Sequence, residues 1–381
     1  MQKKVGYLLL VVVLALLALG TIMLFSTSAK YASPDNTSMY TYARKQVVWL
    51  LLATTVCVAL SRTDYHTLVR YAPWGVAAAV GLLLLVLIPG IGHRVKGSTR
   101  WIQVLGFTFQ PSELAKIVLI FFLSYWVTKH RQHMGEFLKG FALPGAVMLV
   151  MGALILKQGD LGMTGMLILL FAIVMFVGGT RKRYLFPFPI LGLAGILTLA
   201  YFMPQRRARL LAFWDPETYK LEGGYQVWQA LIALGSGGPS GLGLGNSRQK
   251  MYYLPEAHTD FIFPIVGEEL GMWVALSVVL MFLLLTLCGG WITLHAPDTT
   301  GLMIGMGLTG MLAIQAMVNL AVVTSLMPNK GMPLPFVSYG GSNLLVCMAA
   351  VGILFNLHRQ ANYEMEQKMS RQLAAARGLR M

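Results

Sequence analysis

Long apolar runs, broken by short polar or basic connections, dominate the 381-residue chain. A transmembrane helix needs about 20 mostly apolar residues. Residues 5–25 (VGYLLLVVVLALLALGTIMLF) meet that length, with Gly20 as the one real interruption. Comparable runs predict helices near 46–60, 74–91, 112–128, 141–156, 164–179, 184–203, 260–290, 301–325 and 334–357. The pattern predicts an all-α polytopic membrane protein of about ten transmembrane helices, because a helix satisfies its own backbone in lipid. It would form a single membrane domain over 1–381, with a large extracytoplasmic loop, 204–259, between helices 7 and 8 and a basic tail at 358–381. Lys3 and Lys4 precede the first run, but no clean small-residue cleavage site follows it, so it reads as a retained helix. The halves show no inverted symmetry, which weakens a secondary-transporter reading.

Composition agrees. Only 12% of residues are charged, against about 25% in soluble domains. The net charge of +15 is scattered among the spans and not gathered on one domain, which favours membrane lipid or an anionic substrate over nucleic acid. An even number of spans puts both termini on one side. The short connections on that side carry Lys3 and Lys4, Arg62 and Arg70, Lys129 and Arg131, and Arg181 to Arg183, so both termini are expected in the cytoplasm. The opposite side keeps Arg94, Lys96, Arg100, Arg206, Arg209, Arg248, Lys250 and Lys330 against that pressure. Work on something anionic explains them; contact with lipid phosphate is the plainer alternative. Cys57, Cys288 and Cys347 sit inside apolar runs and read as buried small hydrophobes.

Several polar groups are candidates for chemistry. Asp260 stands where the polar loop meets the span FIFPIVG. Apolar neighbours should raise its pKa toward that of a useful base, while a helix N-cap is its structural alternative. Gly267 and Gly271 would share its helical face, and Glu268 and Glu269 read as buried structural partners. Glu113 and Lys116, three apart after Gln110-Pro111-Ser112, can pair with each other; alternatively, Lys116 meets a lipid pyrophosphate. Arg94, Lys96 and Arg100 lie in HRVKGSTRWIQ, where guanidinium forks suit phosphate oxygens. Asp160 is a further carboxylate at the outer boundary, and Ser338 opens a polar patch, SYGGS, in the outer half of the last span. The glycines of 235–245 lack a Walker pattern, and the histidines form no metal-ligand pattern.

HRVKGSTRWIQ with FQPSELAKI, QGDLG, RLLAFWDP with GYQVWQAL, GSGGPSGLGLGNSRQKMYYLPEAHTDFIFPIVGEELG and NKGMPLPFVSYGGS occur in that order. On these segments the chain resembles the FtsW/RodA (SEDS) family over nearly its full length, with wording nearer the division branch. Lys157-Gln158-Gly159-Asp160 replaces the family's commoner Gln-Pro-Asp, and Pro264 stands where Ala is frequent.

The resemblance implies a peptidoglycan glycosyltransferase of the bacterial inner membrane. It implies lipid II as substrate, a nascent glycan strand and undecaprenyl pyrophosphate as products, and a class B penicillin-binding protein and divisome membrane proteins as partners. It assigns catalysis to Asp260 and substrate contacts to Arg94, Lys96, Arg100, Glu113 and Lys116. Arg248, Lys250 and Ser338 join them as substrate-binding candidates. The donor's α-linkage becomes β-1,4, which requires one inverting displacement. An inverting glycosidase needs an acid and a base, but a pyrophosphate leaving group needs no proton, so one base with cationic stabilisation suffices. No metal-ligand cluster is visible, although the chemistry leaves room for a divalent cation, Mg or Mn. A lipid II flippase, an elongation (RodA-type) polymerase and a noncatalytic scaffold are the competing readings.

Overall fold

The computed structural model describes residues 2–28, 40–95, 98–104, 106–215, 217–251 and 253–376. Its order is α1 (Gln2–Ser28), α2 (Tyr40–Arg62), α3 (Tyr65–Arg70), α4 (Ala72–Leu87), β1 (Gly92–Val95), β2 (Ser98–Val104) and β3 (Phe107–Phe109). There follow α5 (Pro111–Lys129), α6 (Leu143–Lys157), α7 (Leu161–Val177), α8 (Lys182–Leu185), α9 (Pro187–Phe202), α10 (Pro204–Trp214), α11 (Tyr225–Ser236), α12 (Ile262–Leu294), α13 (Thr299–Val323) and α14 (Gly341–Ala376).

Eight helical stretches are long and apolar enough to cross a membrane, namely Lys4–Ser28, Arg44–Arg62, Pro111–Lys129, Leu138–Lys157, Lys182–Phe202, Ile262–Leu294, Thr299–Val323 and Gly341–Leu373. Two shorter apolar helices, Ala72–Leu87 and Leu161–Val177, stand where 74–91 and 164–179 were expected. The chain is a multi-pass helical membrane protein. α5 lies among α4, α7 and α13, and α14 runs along α2. In α5, 72% of the span window is buried, against 11% in the α8–α9 stretch, so α5 is central and α9 peripheral.

Three expectations change. The outer loop 92–111, expected only to join two spans, folds over 92–109 into an antiparallel sheet of order β1-β2-β3. The reason lies in its Thr, Trp, Ile, Val and Phe content, which suits pleated surface, with Gly106 (φ 81°) turning the chain between β2 and β3. The last span starts at Gly341, not near 334, and continues as one helix to Ala376, so Ser338 lies in a loop and most of the basic tail is helical. α12 starts after Asp260, and its first turn is entered through Phe261 without a side-chain cap.

α12 is also broken. In an unbroken helix the carbonyls of Glu268 and Glu269 would accept from the amides of Met272 and Trp273. At Gly271 the backbone turns to φ 83° and ψ 175°, so it no longer continues the helical face expected with Gly267. The two carbonyls accept instead from Leu242 N and Gly243 N, each at 2.9 Å, while Met272 N donates to Gly238 O at 2.9 Å and Trp273 N to Pro239 O at 3.5 Å. The glycine-rich loop is thus threaded into the helix break.

Side chains lock the loop there. Glu269 accepts from Gly245 N (3.1 Å), Ser247 N (3.3 Å) and Ser26 Oγ of α1 (2.7 Å). Glu268 accepts from Ser247 Oγ, Arg248 N (3.0 Å) and Gln249 N (3.3 Å).

At the opposite end of the bundle, where Gln360 of α14 also meets Asp64, His66 bridges Asp64 (2.8 Å) and Asp298 (2.9 Å). Tyr65 donates to Asp298 at 2.7 Å. This ties the α2–α3 corner to the start of α13.

Gly271→Ala tests the break. A Cβ would stand 2.5 Å from both Gly241 N and Pro239 O, and the positive φ alone should cost roughly 1–3 kcal/mol. The expected outcome is a lower thermal midpoint in detergent and faster proteolysis within 238–250. An unchanged midpoint would mean that the loop is not threaded through α12.

Candidate functional site

The loop-rich end of the bundle gathers charge from five segments: β2, the α6–α7 turn, α10, the turn before α12 and the α13–α14 loop. Asp260 sits in a tight turn built on Glu256, whose carbonyl accepts from Thr259 N (3.1 Å) and Phe261 N (3.2 Å). Two amides hold this turn against the α13–α14 loop. Asn319 Nδ2 donates both to Asp260 O (2.8 Å) and to Met332 O (2.6 Å). Gln315, one helical turn earlier, donates to Pro333 O at 2.9 Å. Ser338 completes the stitch, accepting from Leu334 N (2.8 Å) and donating to Thr259 O (2.6 Å).

The Asp260 carboxylate lies directly against Gly331, where a Cβ would strike Oδ2. It keeps intermediate exposure, neither sealed nor free. Burial pushes its pKa up to about 7, with the negative charges of Glu256 and Asp160 adding, and Arg100 and Lys330 opposing. Lys330, one residue before Gly331, shifts the other way. Burial lowers it to about 8, partly offset by Asp160 and Asp260. Its side chain crosses the first turn of α7 over Gly162, where any Cβ would overlap the ammonium. A carboxylate raised and an ammonium lowered, each acting on the other, therefore stand at one end of the bundle, an arrangement that marks candidate functional groups.

Arg100 and Ser98 alternate onto one face of β2. Arg100 Nη1 pairs with Asp160 Oδ2 at 3.3 Å and its Nη2 donates to Gly159 O at 2.5 Å. Asp160 also caps α7, accepting from Met163 N at 3.1 Å. From α10, Arg206 Nη2 donates to the same Gly159 carbonyl at 2.7 Å. Arg209 of α10 is lowered by burial and by Arg100, with Asp260 opposing.

The other candidates fall elsewhere. Lys116 is 1% exposed, paired with Glu113 at 2.8 Å and donating to Gln315 Oε1 at 2.7 Å. It thus stabilises the amide that holds the α13–α14 loop, acting as scaffold beneath the site. Lys250 is equally buried, paired with Glu269 at 2.6 Å and donating to Ser26 Oγ at 2.9 Å. Both ammonium groups, expected to meet substrate, are engaged by internal partners here. Arg94 on β1 and the Arg248 side chain are exposed, and Lys96 lies outside the described residues. Among the described residues no group of three His, Cys, Asp or Glu is placed to hold a metal ion.

Sequence reasoning counted Lys330 and Arg206 among the outer-face cations without assigning them to the site, and it missed Gln315 and Asn319. The amides carried a readable signal: two polar residues four apart within an apolar span fall on one helical face.

A polytopic helical protein that holds a partly exposed carboxylate among cations at one rim has the make-up of a membrane-embedded enzyme. Residues 7–363 match the sequence model of the FtsW/RodA/SpoVE family, described as "Cell cycle protein", and the chain belongs to that family. It is 41% identical over 356 residues to the probable peptidoglycan glycosyltransferase FtsW of Geobacter sulfurreducens (strain DL-1 / KN400), covering 93% of this chain and 95% of that protein. It is 36% identical to stage V sporulation protein E of Bacillus subtilis (strain 168), covering 93% and 97%. Among solved structures, the rod shape determining protein RodA of Thermus thermophilus aligns with TM-score 0.66 at 28% identity, covering 93% of this chain and 96% of that one. A chain of a peptidoglycan synthase complex that coordinates polymerization and crosslinking aligns with TM-score 0.74 at 28% identity, covering 93% and 97%.

Lys116→Met tests the scaffold role. Leaving Glu113 buried without its cation should cost about 3–5 kcal/mol, seen as lost thermal stability. Adding Glu113→Gln should recover part of it. A single variant as stable as the parent would place Lys116 outside this scaffold.

Proposed function

We propose that this chain is a peptidoglycan glycosyltransferase that polymerises lipid II into β-1,4 glycan strands on the outer face of the cytoplasmic membrane during cell division. The observation that carries the reading is the Asp260 carboxylate, seated on Gly331, partly exposed, and felt by both Arg100 and Lys330. A base with a pKa of about 7 is half ionised at neutral pH and strong enough to take a proton from a sugar hydroxyl in the transition state.

Asp260 accepts the proton of the acceptor's 4-hydroxyl as that oxygen attacks the donor's anomeric carbon. The new carbon–oxygen bond forms opposite the breaking one, so the configuration inverts. The bonding electron pair leaves with the lipid diphosphate. Its growing charge falls to Arg100 and Lys330, fixed donors at a partly dry rim, where such stabilisation is worth most. A divalent cation, for which the chemistry leaves room, finds no three-residue ligand group among the described residues, and no step here depends on one.

The loop-rich end is then extracytoplasmic, the termini are cytoplasmic, and residues 1–381 act as one membrane unit. A class B penicillin-binding protein supplies crosslinking beside it, with other divisome membrane proteins. The solved relative in a polymerization and crosslinking complex supports that partnership.

Purified Asp260→Asn, assayed with its transpeptidase on lipid II, should fold and bind its partner while polymerisation falls by at least about 100-fold, the range of a lost general base. Retained polymerase activity would remove Asp260 from this role. The pH profile offers an independent check. Asp260 must be unprotonated, so the rate should rise as pH passes about 7. Lys330 must be protonated, so it should fall as pH passes about 8. Lys330→Gln should abolish the alkaline limb, and a profile with that limb intact would free Lys330 from the chemistry.

A further inference from the structure

Arg100 and Arg206 converge on one carbonyl oxygen, that of Gly159, at 2.5 and 2.7 Å. Two guanidinium groups at such range repel. The nearby carboxylate, Asp160, is paired with Arg100 at 3.3 Å, so the group of three keeps an excess positive charge. Among the described residues, each guanidinium also holds a buried N–H without a hydrogen-bond partner, Arg100 Nε and Arg206 Nη1. Natural structures rarely leave buried donors unmet unless a ligand or water meets them. Burial pulls Arg206 below its ordinary value and Arg100 adds to that, against Asp160. Gly159 itself holds φ 84°, a backbone conformation that suits glycine, and a Cβ there would stand 3.2 Å from Ser98 Oγ and 3.5 Å from Arg206 Nη2.

The level of the pair in the membrane points to the ligand. Arg206 belongs to α10, which follows directly on the membrane helix α9. At the junction and the far end of α10, Phe202 and Trp214 are 77% and 82% exposed. Aromatic residues bared on both sides of a short Arg-rich helix mark the headgroup layer, where a lipid-borne phosphate lies. Each guanidinium fork matches one phosphate's oxygens in two-point contact; two forks side by side match two phosphates.

We propose that Arg206, with Arg100, forms a two-guanidinium clamp for the diphosphate of a prenyl-linked substrate, the Gly159 carbonyl holding the pair in register until the anion arrives. The clamp rests on the glycosyltransfer reading above and adds Arg206 to it as a diphosphate-binding residue. Binding leaves each arginine one phosphate to contact, satisfies both idle N–H groups and relieves the repulsion between the two side chains. A single-phosphate headgroup can satisfy only half of this, so the pair should select diphosphate over monophosphate.

The test uses the full chain in phosphatidylcholine nanodiscs, with farnesyl diphosphate and farnesyl monophosphate as probes and the thermal midpoint as readout. The wild type should be stabilised by the diphosphate at about tenfold lower concentration than by the monophosphate, the order expected for one extra charge-assisted contact. Arg206→Gln should lose that preference and raise the KM for lipid II by about tenfold with kcat within about threefold, and Arg206→Lys should recover part of both. Equal response of the wild type to the two probes overturns the clamp, whether or not any variant folds. So does a preference that survives in Arg206→Gln. Loss of the wild-type preference in phosphatidylglycerol nanodiscs would overturn it in favour of an ordinary phospholipid site. Asp260→Asn separates the two readings. If it polymerises normally, the catalytic role given to Asp260 falls while the midpoint shifts stand. If it is inactive yet Arg206→Gln keeps the preference, only the clamp falls.

Discussion

Charge survives inside an apolar bundle only where an opposite charge or a row of backbone dipoles is fixed beside it. The chain meets this condition twice, with different consequences. Glu269 takes the ammonium of Lys250, the hydroxyl of Ser26 and two loop amides. Its neighbour Glu268 takes three groups of the same loop. These contacts seat the glycine-rich segment in the break of α12. Because Asp260 enters α12 from above that break, its position depends on how firmly the loop is seated. Lys116, Glu113 and Gln315 form the second such group, and through Gln315 they brace the loop that carries Lys330 and Gly331.

At the rim the condition is only partly met. Asp260, Lys330, Arg100 and Arg206 keep partial exposure, and their partners are shared or incomplete. An incompletely compensated group next to a rigid support is well suited to exchanging protons or receiving an anion. The contrast is physical: full pairing below makes a frame, and partial pairing above makes a site. The frame also explains why lysines of similar sequence context end with different tasks.

Hydrophobic runs carried most of the architecture in plain view, since lipid leaves the backbone few choices. The short helices α4 and α7 were visible for that reason, although each is under the length of a full span. The sheet β1–β3 was hidden, because seven or fewer residues of mixed polarity give little period to count. Asp260 stood out as an acid at the edge of an apolar run, and Glu268 and Glu269 were rightly read as structural. Lys250 misled because a lysine in a glycine-rich loop looks solvated. Its burial follows from a partner 19 residues away, brought near only by the break at Gly271. Lys330 and Arg206 were visible only as outer-face cations: their placement comes from contacts with Gly162 and Gly159, which no local pattern announces.

Gly162 bears no charge, makes no hydrogen bond through a side chain and touches no proposed substrate. Yet the Lys330 ammonium occupies the space that a methyl group there would claim. The absence of one carbon atom on α7 therefore fixes where a positive charge from another loop stands relative to Asp260. A substitution at this site would relocate that cation without removing it, changing the electrostatics of the rim while every ionisable residue stayed in the chain.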